Sequence, residues 1–304
     1  MQDEHLETVA RTGRAVSESL ERRLGEPVAL LDHGFIRVVD YMGNDNAIVQ
    51  AARVSYGRGT KRLHEDRGLI HYLMRHRHST PFEMCEIKLH IKLPLFVARQ
   101  WIRHRTANVN EISARYSVLS REFYIPEPEH LGAQSRNNRQ GRSEALLPEK
   151  DIEAILERLT RHAETSYQDY AALLNDPAEE GYDENRPSLA RELARMVLPL
   201  NYYTEWYWKI DLHNLMHFCS LRADPHAQYE IRVYADALVD ILKDWVPLTY
   251  EAFERYRLGS KSLSSVGLAL VRARMRGEEI DYRAAGLSQR EWQELLETIP
   301  ELEA

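Results

Sequence analysis

Period-two alternation is clearest from Cys85 to Lys92, where Cys85, Ile87, Leu89 and Ile91 interleave with Glu86, Lys88, His90 and Lys92. Successive strand residues face opposite ways, so this segment predicts a strand with one buried face. A looser apolar cluster of Leu30, Leu31, Phe35, Ile36, Val38 and Val39 predicts a second strand between Ala29 and Met42, with Asn44 or Asp45 capping the next helix. Helical spacing takes over at Leu69, Ile70, Tyr72, Leu73 and Met74, in a helix that ends on Arg75, His76, Arg77 and His78. Pro94 suits a helix start, and Leu95, Phe96, Val97, Trp101 and Ile102 then form an apolar side opposite Arg99, Gln100, Arg103, His104 and Arg105. Residues 133–148 are polar and predict a mobile surface loop. After them the pattern predicts helices over about 150–175, 188–198, 211–221, 226–243 and 247–257, with a strand near 202–210. The expected fold class is α+β: a small antiparallel or mixed sheet packed by helices, with a helix-rich C-terminal half. One domain is expected over 29–258, preceded by an accessory helix in 1–28 and followed by a helical appendage over 259–304.

Composition narrows what such a fold can do. With 304 residues, 43% hydrophobic and 29% charged, the chain can bury a substantial core and is not a disordered polymer. Its 40 Lys+Arg and 47 Asp+Glu give a net charge of -7, which argues against nucleic-acid binding through bulk positive charge. An anion site must therefore be local. No apolar run reaches the roughly 18 to 20 residues of a membrane helix, and Met1 to His5 lack the order of a signal peptide, so a cytoplasmic protein without a membrane partner is expected. Cys85 and Cys219 form no CxxC or CxxH pair and read as reduced core residues. His71, His76 and His78 invite a metal reading, but no carboxylate or cysteine completes a zinc spacing, and no metal is expected.

The densest chemistry is Arg103-His104-Arg105, seven further residues, then Ser113-Ala114-Arg115-Tyr116. Guanidinium forks match phosphate oxygens bidentately, so two arginine clusters with a hydroxyl predict a phosphorylated ligand. The triplet alone would equally suit a solvated helix end whose cations oppose the macrodipole. Ser113 lacks the G-x-S-x-G elbow of a hydrolase nucleophile.

Taken together, Arg103-His104-Arg105-x7-Ser113-x-Arg115-Tyr116, preceded by Phe96 to Trp101, resembles the signature of the flavin-dependent thymidylate synthases. Blocks at Ala51 to Tyr56, His78 to Glu83, Glu122 to Pro126, Ala194 to Pro199 and Leu221 to Gln228 resemble that family in the same order, over roughly residues 35–257. The resemblance implies conversion of dUMP to dTMP, with methylenetetrahydrofolate as carbon donor and NADPH as reductant through FAD. It also implies a homotetramer with FAD at subunit interfaces, consistent with the lack of a GxGxxG loop. By the same resemblance dUMP would be bound by Gln100, Arg103, Glu111, Ile112, Ser113, Ala114, Arg115, Arg195 and Arg222, with Arg222 activating the uracil. FAD would be bound by Ser55, His78, Thr80, Arg103, His104, Arg105, Glu111, Asp211, Leu212, His213 and His217. Asp211, His213 and His217 stand where some members carry asparagine, arginine and asparagine. A non-catalytic nucleotide or RNA-phosphate binding protein is the rival expectation, since it would use the same arginines.

Overall fold

The clearest alternating segment forms the middle of the sheet. In the computed structural model, which describes residues 14–54, 63–135, 141–178 and 181–303, the chain opens with α1 (Glu18–Glu21), β1 (Pro27–Leu30), β2 (Gly34–Met42), α2 (Asp45–Ala52), α3 (Leu63–Arg75) and α4 (Thr80–Glu83). Next come β3 (Glu86–Pro94), α5 (Leu95–Trp101), β4 (Asn108–Glu111), β5 (Gly132–Gln134), β6 (Arg142–Leu146), α6 (Glu149–Leu174) and α7 (Arg191–Ala194). The second half is β7 (Tyr203–Asp211), α8 (Leu212–Arg222), α9 (Tyr229–Trp245), α10 (Pro247–Phe253), α11 (Ser265–Met275) and α12 (Gln289–Thr298).

Five strands form one sheet in the order β1-β2-β3-β7-β4, with every neighbour antiparallel. Register aligns the apolar positions: Leu89 lies between Val38 and Trp208, and Ile91 between Ile36 and Trp206, all buried on one face. Helices α5, α8 and α9 supply the rest of that core, with Trp101 against Trp208 at 5.1 Å, Phe218 at 4.5 Å and Tyr234 at 5.9 Å. A bulge between Val38 and Asp40 shifts the parity of β2, so Val39 is exposed and Tyr41 returns to the core.

Several elements depart from the pattern. The apolar cluster around 29–42 is a hairpin rather than one strand, because Leu31 adopts a positive φ of 58° and reverses the chain. The expected loop at 133–148 is corrected to a second, two-stranded sheet of β5 and β6 that pairs Gly132 with Leu146 and Gln134 with Arg142. Its polar side chains are compatible with a strand because the hairpin is held by hydrogen bonds rather than by burial: Arg142 donates to the His130 carbonyl at 2.5 Å and to Glu230. The helix expected over 188–198 shrinks to α7 and a 3-10 turn, Arg195–Val197. Helix α1 is one turn long, and the earlier part of the expected accessory helix lies outside the described residues.

The chain divides into two compact units, Met1–Ala252 and Phe253–Ala304. The second has its own small core of Leu270, Leu295, Leu296 and Leu302, with Tyr282 stacked on Trp292 at 5.1 Å and a capping box between Ser288 and Glu291. Among the described residues, no helix is long and apolar enough to cross a membrane.

Candidate active site

Burial of Trp101 fixes the end of α5 and thereby the course of the arginine triplet beyond it. Gln100 is left beside the core, and the chain turns so that the His104 ring packs 4.8 Å from Phe218 and 6.1 Å from the His217 ring. Arg222, the last residue of α8, donates Nε to His104 Nε2 at 3.1 Å. Arginine can only donate, so Nε2 must be the acceptor and the imidazole is neutral. Burial, reinforced by the charges of Arg222 and His217, pushes the His104 pKa down to about 4. Helix α8 thus ends in a partly buried cation whose Nε is occupied.

A cavity of about 660 Å³ opens beside Arg222, lined also by Gln100, Gln134, Arg142, Gln228 and Arg232. The β5–β6 hairpin is thus a wall of the site. Sequence reasoning missed Arg142, Gln228 and Arg232 as site residues. Gln228 closes a family-like block, but nothing in the polar run around Arg142 marks that arginine apart from its neighbours.

Other expected residues gather elsewhere. Glu111 ends β4 and accepts from Thr204 Oγ1 at 2.6 Å, while the Ile112 amide donates to the Glu205 carbonyl at 2.9 Å. Ser113 Oγ accepts from Arg115 through its backbone N and its Nε, both at 3.4 Å, and the Arg115 guanidinium lies 5.6 Å from the Tyr116 ring centre. Ile112 is exposed and Ala114 buried, so Ala114 anchors the turn from below. Arg191 ties α7 to this turn, donating to the Tyr116 carbonyl at 2.9 Å and to Asp176 at 2.7 Å. Exposed Arg195 lies on the next turn, its Nε bonded to the Glu192 carbonyl at 3.3 Å.

His78 is placed by a left-handed residue. Arg77, with φ 59°, lets the His78 amide reach the Leu73 carbonyl at 3.0 Å and close α3 in a Schellman motif just before Thr80 opens α4. Asp211 caps α8 by accepting from the Asn214 amide at 2.9 Å and its side-chain Nδ2 at 2.7 Å. Leu212 is fully buried and donates its amide to the Cys85 carbonyl at 2.8 Å, so its side chain belongs to the core; His213 and His217 are on the surface side of the same helix. Ser55 lies outside the described residues.

The structure therefore puts Gln100 and Arg222 on one cavity and links Arg222 through His104 to His217, whereas Arg103, Arg105, Ser113, Arg115, Arg195, His78 and Thr80 do not line that cavity. Among the described residues, no carboxylate forms an ion pair with Arg103, Arg105, Arg115 or Arg195. Four uncompensated guanidinium groups in an acidic chain fit ligands that carry phosphate or diphosphate. Both cysteines are free and buried, and burial with the nearby Asp45 pushes the Cys85 thiol up to about 12, so neither offers a thiolate. His76 and His78 flank Tyr72, at 4.3 Å and 5.9 Å between ring centres, and the three acid or histidine side chains at metal-ligand spacing among the described residues are instead the surface group Glu127, Glu129 and His130.

Fold and site define an α+β protein whose unpaired arginines and arginine-lined cavity suit a phosphorylated ligand. The family described as "Thymidylate synthase complementing protein" matches residues 37–248. Flavin-dependent thymidylate synthase of Rickettsia bellii is 58% identical over 290 residues, 95% of this chain and 98% of that protein. The protein of the same description from Gluconobacter oxydans is 62% identical over 284 residues, 93% of this chain and 91% of the relative. The crystal structure of the UMP/dUMP methylase PolB from Streptomyces cacaoi bound with 5-Br UMP aligns with a TM-score of 0.65 at 33% identity, covering 75% of this chain and 96% of PolB. The chain belongs to the flavin-dependent thymidylate synthase family.

Proposed function

We propose that this chain converts dUMP to dTMP, with methylenetetrahydrofolate as carbon donor and NADPH as reductant through FAD. The observation that carries the reading is Arg222, half-buried at the wall of a 660 Å³ cavity with its Nε bonded to the neutral His104. Since His104 adds no second positive charge and holds one edge of the guanidinium, the remaining donors are preorganised to stabilise negative charge on a uracil ring. Ser113 and Arg115 suit the nucleotide phosphate, as a hydroxyl and a guanidinium already in contact with each other. Arg103, Arg105, Thr80, His78, His213 and His217 would hold the flavin, which when bound supplies hydride to the pyrimidine.

Ser113, Arg115, Thr80 and His78 do not line the Arg222 cavity, and assembly into a homotetramer would bring such groups together. Exposed apolar side chains beside them in sequence, Ile112, Tyr116, Met196 and Leu200, support such an interface. The ligands are small soluble molecules, and a cytoplasmic location accords with the same reading. The test uses the purified protein. It should be yellow, its flavin absorbance should bleach under NADPH, and dTMP should form when dUMP and methylenetetrahydrofolate are added. A colourless protein that cannot be reconstituted with FAD overturns the reading.

A further inference from the structure

One wall of the Arg222 cavity is a chain of hydrogen bonds whose direction is fixed at its buried end. Glu230, in the first turn of α9, is only 4% exposed. Its carboxylate accepts from Arg142 Nη2 at 2.8 Å and 2.6 Å, from the Tyr124 hydroxyl at 3.2 Å and from Gln228 Nε2 at 2.9 Å. Burial pushes this carboxyl up, but the hydrogen bonds from Arg142 and Gln228 and the charge of Arg142 outweigh it, so the group lies below the usual carboxylate range and stays ionised. An ionised carboxylate accepts and cannot donate. Gln228 must therefore turn its NH2 toward Glu230, which leaves its Oε1 facing Gln100. Gln100 answers by donating Nε2 to that oxygen at 3.4 Å. Flipping the Gln100 amide would set two carbonyl oxygens against each other. Gln100 Oε1 is consequently the free end of the chain, and it is buried without a hydrogen-bond partner beside the cavity that Gln100 lines.

A buried acceptor left unpaired carries an uncompensated desolvation cost, so a ligand donor that meets it binds about tenfold more tightly than one that does not. We propose that Gln228 is a positioning residue which, anchored by Glu230, fixes Gln100 with its amide oxygen as the acceptor for a hydrogen-bond donor of the bound nucleotide. The inference rests on the proposed nucleotide substrate and adds to it the polarity of one contact. Two donors of a pyrimidine nucleotide share the required chemistry, the imide N–H of the base and the sugar hydroxyl. Neither a phosphate nor a base carbonyl oxygen can supply it.

The test is a double-mutant cycle on the purified flavoprotein, with dUMP titrated calorimetrically into wild type, Gln100→Met, Gln228→Met and the double variant. Each single substitution should weaken dUMP binding about tenfold, and the double variant should be no weaker than the worse single one, because both break the same contact. Flavin content should be unchanged in Gln228→Met, which retains the Glu230–Arg142 pair, and the melting temperature should fall by only a few degrees for the one hydrogen bond lost to Glu230. Titration of 3-N-methyl-dUMP and of the 3′-deoxy analogue of dUMP then identifies the donor: one should bind wild type about tenfold less tightly than dUMP, and Gln228→Met should lose that discrimination. If Gln228→Met does not fold, Gln228→Asn, which keeps the amide but cannot reach, takes its place with the same expected loss. Wild-type affinity in the Gln228 variant, losses that multiply in the double variant, or no discrimination against either analogue would each overturn the inference while leaving the dUMP reading intact. A wild-type protein that fails to bind dUMP overturns the reading and the inference together.

Discussion

At the scale of single residues, the pair Arg222 and His104 carries the largest consequences. Arg222→Lys keeps the charge but loses the planar fork and the 3.1 Å bond to His104. Reduction of the bound flavin by NADPH should persist. Reoxidation by dUMP and methylenetetrahydrofolate, monitored anaerobically in a single turnover at saturating dUMP, should slow by about two orders of magnitude, the usual loss for one preorganised donor. Wild-type reoxidation would return Arg222 to a structural role. His104 makes a separate statement about pH. Its pKa falls from an ordinary 6.5 to about 4 on folding, so between those values the unfolded chain binds more protons and stability declines as the solution is acidified. The ring keeps some solvent contact, which limits the effect to about 1 to 2 kcal/mol. Thermal unfolding of wild type and His104→Gln across pH 7 to 4.5 should show a shallower decline in the variant, and parallel curves would contradict the assignment. Both residues stand out in the sequence, within the RHR triplet and the Leu221 to Gln228 block. Their contact does not, because it joins residues 118 positions apart.

Among elements, the hairpin of β1 and β2 shows how a single position can govern packing. A Cβ on Gly34 would sit 2.1 Å from the Tyr234 hydroxyl, which donates to the Lys92 carbonyl at 2.7 Å and holds α9 to the sheet. Gly34→Ala should destabilise the protein by about 1 to 3 kcal/mol, the cost of overpacking, visible as a lower denaturation midpoint with an unchanged denaturant slope. A midpoint equal to wild type would mean that the ring moves freely. Legibility differed sharply between elements. Asn44 as a cap and β3 were readable, since capping chemistry and period-two burial act locally. Strand β4 was not, because Val109 is its lone apolar residue and what makes it a strand is the open edge of β7.

For the whole molecule, the central issue is where Arg115 and Arg222 meet. Arg115 does not line the cavity beside Arg222. If the catalytic site is completed by another subunit, Arg115→Ala and Arg222→Lys damage different halves of it. Co-refolding or co-expressing the two inactive variants should then restore about a quarter of wild-type activity, since random association leaves about a quarter of the shared sites with both arginines intact. Mixtures as inactive as either parent would place both arginines in one protomer's site.

What the sequence determined by itself was the set of chemical groups and the local elements: the arginine motif, the apolar face of β3, the α+β class, and through the motif's resemblance the family. Those properties depend on residue type at short spacing, where propensity and periodicity act. Tertiary structure alone decided which groups touch. It set the β2 bulge, made a wall from a polar run read as a loop, and led a buried Glu230 through Gln228 to the side chain of Gln100. Such contacts depend on register and on the burial of polar atoms between distant segments, and neither leaves a periodic trace in the chain.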